Sequence, residues 1–166
     1  RFDGLHNSSG VMQGKQRSLN EGGIRVPMVV RWPGKIKAGR LSRHPWYFPD
    51  VMPTFAEIGG VSTEVPKDID GISILPTLLD EGEQKLHEYM FWHYGVRAVR
   101  SGKWKGIGKG GHLYLYDLSK DIEEKNDLSS KHPEIAARMK KYITIGYREP
   151  RSQKDDGKYT GKGDKN

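Results

Sequence analysis

Apolar residues change their spacing near the middle of this chain. In the first half they form one continuous run and two short helical stripes; in the second they form brief aromatic and β-branched runs cut by glycine. The continuous run is Met28, Val29 and Val30, within residues 24–32. Pro27 offers no ladder donor, so the pattern predicts a strand that starts there or lies at an edge. Such a run suits a strand covered on both faces, as in a parallel sheet between helices. "WPGKIKAGR" then predicts a turn through Pro33 and Gly34 that exposes Lys35, Lys37 and Arg40.

Two helical pieces follow. Pro49 and Pro53 are tolerated only in or before a first turn, which sets a helix start near Asp50. Val51, Met52, Phe55 and Ile58 form its stripe, and Gly59 and Gly60 end it. "DIDGISILPTLL" predicts a turn at Asp70 and Gly71 and a short helix over 75–79. From there "HEYMFWH", "VRAVR", "KWKGI" and "LYLYDL" predict an antiparallel meander over about 89–117. "KHPEIAARMKKYI" predicts a helix over 133–143 packed on that sheet, with Pro133 first and Ile135, Met139, Tyr142 and Ile143 on one side. Residues 1–14 read as loop. Residues 150–166 carry one aromatic among Lys, Asp and Gly and are expected to be a disordered basic tail. The change of period places a boundary near 81–86, giving segments 1–80, 81–149 and 150–166.

Composition narrows the chemistry. The 28 Lys and Arg against 21 Asp and Glu give a net charge of +7, which favours anionic partners. Cysteine is absent, so no disulfide, zinc-thiolate site or Cys nucleophile lies in this sequence. No apolar run approaches the roughly 20 residues that span a bilayer, so no membrane partner is expected. The chain opens at Arg1 without the features of a signal peptide, which reads as a fragment or a processed chain.

The approach to the first apolar run, "NEGGIRVPMVV", holds two glycines bracketed by opposite charges. Gly22 and Gly23 predict a tight backbone path that a side chain would block, and Glu21 and Arg25 are expected to pair across it in a structural role. Trp92, His93 and Tyr94 end a predicted strand; an aromatic beside an imidazole suits a sugar or aryl ring, and a half-buried strand end is the plainer reading. His44, His87 and His112 show no metal-ligand spacing with acids. "DLSKDIEEKND" resembles a calcium loop only in composition, without the spacing or glycine of an EF-hand.

"SLNEGGIRVPMVVRWPGKIKAG", "HPWYFPDVMPTFAEIGG", "DIDGISILPTLL", "VRAVRSGKWKGI" and "LYLYDLSKDIEEKNDLSSKHPEIAARM" resemble, in order and spacing, the C-terminal part of the formylglycine-dependent, arylsulfatase-like sulfatases. The resemblance covers about residues 2–143. It implies an α/β fold: residues 1–80 as the end portion of an alkaline-phosphatase-like domain, followed by a small antiparallel sheet with one C-terminal helix. It also implies a nucleophile made from the Cys of a Cys-x-Pro-Ser-Arg motif and a calcium ion, with the Cys and the calcium ligands outside this sequence. The missing N-terminal catalytic portion is then the chain's first partner, a sulfate ester its substrate, and the chain alone is expected to be inactive. A periplasmic or secreted location follows from the resemblance alone.

In the resembled family a Lys five residues before the Glu of Glu-Gly-Gly reaches the sulfate. Here that position is Gln16, with Lys15 one residue earlier and Arg17 one later. Gln16 can donate hydrogen bonds but brings no charge, whereas Lys15 needs a one-residue slip of the loop. Lys15, Gln16, Trp92 and His93 are thus the candidate substrate-binding residues, with no catalytic or metal residue in this chain. Two other classes stand beside the sulfatase reading. One is a basic polyanion-binding module, with nucleic acid the less favoured partner. The other is a catalytically silent sulfatase relative, in which Gln16 occupies the lysine position.

Overall fold

The structure, a computed structural model, describes residues 9–148. Its centre is a four-stranded antiparallel sheet in sequential order, β1 (Met90–Tyr94), β2 (Val96–Ser101), β3 (Trp104–Lys109) and β4 (His112–Asp117). The registers Met90↔Arg100, Arg100↔Lys105 and Lys105↔Tyr116 run straight across it. Between β3 and β4, Gly110 and Gly111 both have positive φ, 58° and 79°, as a two-residue turn that follows the sheet's twist requires. The meander is the one the short, glycine-separated runs predict.

Alternation gives the sheet two apolar faces. On one, Val99, Leu113 and Leu115 pack against Ala136, Met139 and Tyr142 of the helix Pro133–Gly146, with Ile135 and Ile143 at its margins. That is the stripe read from the sequence, and the helix runs three residues further than expected. Met139 and Leu115 are fully buried, so Met139→Ala is worth about 2–5 kcal/mol of stability. On the other face, Ala98, Ile107 and Tyr116 pack against Leu19 and Leu118, with Trp92 and Ile24 partly covered beside them. Residues 19–24 therefore belong to the sheet's second face.

Three short helices precede the sheet: α1 (Glu21–Ile24), α2 (Val51–Ile58) and α3 (Leu75–Leu79); the C-terminal helix Pro133–Gly146 is α4. Helices α2 and α3 fall where the prolines and glycines place them. The expected strand over 24–32 does not form. Ile24 closes α1, and residues 25–32 have no regular structure and no ladder partners, with Val26 at 81% and Val29 at 94% exposure. A strand exists only through its neighbours, and no described segment runs beside this one. The α2 stripe behaves alike, since Met52, Phe55 and Ile58 are exposed. Both apolar surfaces lie in the part the sequence assigns to the end of a larger α/β domain. The expected tail, residues 150–166, lies outside the described residues.

Candidate functional site

The two glycines fold as close-packed backbone. The amide of Gly22 donates to the Gln13 carbonyl at 2.7 Å and that of Gly23 to the Asn20 carbonyl at 2.8 Å, which wraps residues 13–20 over α1. A Cβ on Gly22 would stand 2.6 Å from the Gln13 oxygen; one on Gly23 would strike the Ser18 oxygen and stand 2.6 Å from that of Lys15. Glycine is the residue that permits this contact. The path is tight because backbone approaches it, as the sequence predicts.

The loop tip is a turn closed by the Ser18 amide donating to the Lys15 carbonyl at 2.9 Å. Gln16 and Arg17 occupy its corner, Arg17 with φ 72°, and the turn begins at Lys15. Gly14 enters with φ 88°, and a Cβ there would crowd Ser18 Oγ at 2.6 Å. All three candidates, Lys15, Gln16 and Arg17, are solvent-exposed. The loop presents a basic and amide-bearing corner held from below by the glycines.

What fixes that base is a buried ion cluster. Glu21 Oε2 accepts from Arg25 Nε at 2.7 Å, the expected pair, and Oε1 accepts from Lys105 Nζ at 2.8 Å. Lys105 Nζ also stands 2.9 Å from Glu124 Oε1, and the Glu21 amide donates to Glu124 Oε2 at 2.7 Å. Arg100 adds a further charge 3.7 Å from Glu21. Glu21, Lys105 and Glu124 are each at most 3% exposed. Burial alone pushes the Glu21 carboxyl up, but the Lys105 charge and the hydrogen bonds from Lys105 and Arg25 bring it below its ordinary value. α1, β3 and the turn at Glu124 are thereby tied at one point. Sequence reading found Glu21 and Arg25 and missed Lys105 and Glu124, because a strand lysine and a charged turn look solvated.

Beside the cluster lies an open cavity of about 630 Å³, lined among others by Arg25, Arg43, His44, Tyr47, Trp92 and Arg100. Its wall carries three guanidinium groups and the aromatic rings of Trp46, Tyr47, Phe48 and Trp92. Burial pushes His44 below its ordinary pKa; Asp50 opposes that shift and His87 adds to it. Asp50, fully buried, accepts from His87 Nε2 at 2.8 Å and from the amides of Tyr47 and Ile72 at 3.0 and 2.9 Å. The cavity floor is thus pinned to α2 and to the entry of β1.

The structure separates Trp92 from His93. They are neighbours in β1, so they point to opposite faces. Trp92 lines the cavity and meets Tyr47 edge-on at 5.7 Å, whereas His93 lies on the α4 side, edge-on to Tyr147 at 5.3 Å. An aromatic-plus-imidazole platform is therefore not what these two residues form. Arg25, Arg43, His44 and Arg100 join Trp92 instead, brought together by long-range packing that no local spacing announces.

Among the described residues no three His, Cys, Asp or Glu side chains converge as a metal ion would require. The buried acids have other partners, Glu21 with Lys105, Asp50 with His87 and Asp117 with Lys103. No described helix is long and apolar enough to cross a membrane.

A family profile described as N-sulphoglucosamine sulphohydrolase, C-terminal, matches residues 14–146. Human steryl-sulfatase is 34% identical over 158 residues, covering 74% of this chain and 27% of its own length. The N-acetylgalactosamine-6-O-sulfatase of Bacteroides thetaiotaomicron is 28% identical over 158 residues, covering 83% of this chain and 30% of its own. A solved structure from a Bacteroides thetaiotaomicron core locus for the metabolism of multiple glycosaminoglycans superposes with a TM-score of 0.68. It is 27% identical and covers 82% of this chain and 32% of that one. The chain spans less than a third of the length of each of these relatives.

Proposed function

The chain belongs to the N-sulphoglucosamine sulphohydrolase C-terminal family, the C-terminal part of the arylsulfatase-like sulfatases, and we propose that the full-length protein hydrolyses sulfate esters of sulfated carbohydrate. The observation that carries this is the Glu-Gly-Gly element. Its glycines hold an exposed Lys15–Gln16–Arg17 corner in place, and its glutamate is locked to the sheet by Lys105. A sulfate ester needs fixed cations where negative charge builds during transfer, and a corner braced by a buried ion cluster costs little reorganisation at that moment.

In this reading Lys15 faces the sulfate and Gln16 donates a neutral hydrogen bond beside it. Trp92 and the arginines of the adjoining cavity form the wall against which the sugar carrying the sulfate rests; His93, on the far face, takes no part. In this reading the nucleophile and the calcium ligands lie outside this chain, whose described residues supply no clustered acid set for an ion. The chain's contribution is to position and to bind. A periplasmic or secreted location goes with the same reading.

Sulfate release from an aryl sulfate and from sulfated glycan oligosaccharides, measured on the full-length protein and on residues 1–166 alone, tests the proposal. Release by the first and none by the second is the expected result. Turnover by the isolated chain that a substitution within it abolishes would overturn the division of labour; no release by the full-length protein would favour the catalytically silent reading.

A further inference from the structure

On the face of the sheet opposite Glu21, α4 leaves a second cavity uncovered. It holds about 450 Å³ and lies between the β1–β2 and β3–β4 turns and the last turns of α4, with Arg97, Lys109, His112, Lys140 and Thr144 on its walls. No carboxylate lines it. His112 is held by Asp127 at 2.9 Å, but Arg97, Lys109 and Lys140 have no ion-pair partner among the described residues. Arg97 is nonetheless fixed in place, its guanidinium 3.6 Å from the centre of the Tyr147 ring, so a bound anion meets a side chain already ordered.

The floor of this groove is Gly108, which pairs with Arg97 across β2 and β3. Its neighbour on the same face, Gly106, is demanded by packing, because a Cβ there would stand 2.9 Å from Met139 Cβ. Gly108 is not. A Cβ at 108 would meet Ile143 Cδ1 at 3.4 Å, an ordinary contact, and the backbone there has no positive φ. Strand positions disfavour glycine unless something must approach closely. Neither a positive φ nor a Cβ clash demands glycine at 108, and because Gly108 lines the groove a larger side chain in its place would take up part of it.

We propose that this groove is a second binding site for a sulfated glycan, taking a sulfated sugar of the polymer remote from the ester that is cleaved. The inference rests on the sulfatase reading for its choice of ligand. The volume suits about one or two sugar rings, within the usual range of small-ligand sites. Three cations with no ion-pair partner among the described residues, set around a glycine floor, fit a ring that carries point sulfates. A nucleic-acid duplex presents a convex phosphate backbone that reaches the rim but not the floor, so its binding would ignore residue 108.

The test measures binding of a size-defined heparin oligosaccharide to the full-length protein, with unsulfated hyaluronan of equal length and duplex DNA as comparisons. Gly108→Leu keeps every charge and fills the floor; Lys140→Glu keeps the floor and reverses one charge. Each is expected to raise the heparin Kd about tenfold or more while turnover of a small aryl sulfate stays unchanged, and hyaluronan is expected to bind weakly throughout. Heparin binding that neither variant weakens would overturn the proposal, as would duplex DNA binding as tightly as heparin and losing as much to Gly108→Leu. Should Gly108→Leu fail to fold, Lys140→Glu decides by itself. Sulfate release by the wild-type protein bears only on the sulfatase reading, and the heparin affinity only on the groove.

Discussion

Lys105 Nζ stands 2.8 Å from Glu21 Oε1, and neither side chain is more than 1% exposed. The contact joins positions 84 residues apart, the start of α1 and the second residue of β3. A buried ion pair is poor evidence of net stability, since desolvation offsets much of the attraction, but removing one partner strands the other. Here the stranded partner would be the buried Glu124 carboxylate, while Glu21 would lose its buried cation and keep Arg25 and Arg100. Lys105→Met is therefore expected to destabilise the protein by about 3–5 kcal/mol. Glu21→Gln leaves Lys105 paired with Glu124 and is expected to cost less. Arg25→Ala, which removes a half-exposed partner, is expected to cost about 1 kcal/mol or less. Urea unfolding of the three variants checks the order. Arg25→Ala costing as much as Lys105→Met would show that the weight of the cluster lies elsewhere.

The loop above that cluster should be as sensitive to added volume as the cluster is to lost charge. Gly23→Ala drives a methyl into the Ser18 carbonyl and must displace backbone, whereas Gly34→Ala meets open space and only its φ of 77° opposes it. Gly34→Ala is expected to cost about 1 kcal/mol and to leave turnover intact. Gly23→Ala is expected to unseat residues 15–18 and remove most sulfatase turnover of the full-length protein even where the fold survives. Circular dichroism and steady-state kinetics on both variants separate the two effects. Equal activity in the pair would mean that the loop does not need its glycine base.

Acid should loosen the sheet's β4 end. Asp127 accepts from the amides of Leu115 and Ser129 and from His112, and these bonds outweigh burial, which alone pushes its carboxyl up, to leave it at about 2. Asp117 is brought to about 2 chiefly by its hydrogen bonds from Lys103 and Ser119. A carboxyl depressed in the folded state contributes stability that is complete above its unfolded pKa and is lost as pH falls through its folded pKa. The window is therefore pH 4 down to 2. Asp127→Asn keeps an acceptor for the Leu115 amide but does not titrate. It should be less stable than wild type at pH 6, and the gap should close towards pH 2. A gap of constant size across that range in urea melts would refute the assignment.

Much of the fold was legible because it depends on neighbours in sequence. The meander shows itself in short β-branched and aromatic runs cut by glycine, and α4 in Pro133 followed by Ile135, Met139 and Tyr142. Residues 25–32 were misread for a related reason: Met28–Val30 report that something apolar covers them, but a strand also needs a ladder, and its partner is not encoded in the run itself. Lys105 and Glu124 were invisible because their burial comes from the packing of α1 onto the sheet. The left-handed φ of 53° at Glu124 has no sequence signature in a non-glycine residue. Trp92 and His93 show a simpler limit. Adjacent residues share a neighbourhood in sequence but not a face in a strand.

Lys15 and Gln16 differ in a way that kinetics can resolve. The turn closed by the Ser18 amide on the Lys15 carbonyl puts Gln16 at its corner and Lys15 at its start, both in solvent. A one-residue slip is feasible only where the backbone can absorb it, and Gly14, at φ 88°, and Arg17, at φ 72°, flank the pair with conformations already far from extended. Charge then favours the lysine, since sulfate transfer moves negative charge that an amide cannot neutralise. In the full-length protein Lys15→Ala is expected to lower kcat by about 10²-fold or more, the range seen for electrostatic stabilisers of a transition state. Gln16→Ala is expected to have a much smaller effect, and Lys15→Arg to recover part of the loss. Near-normal turnover in Lys15→Ala with a severe loss in Gln16→Ala would instead place the amide on the sulfate.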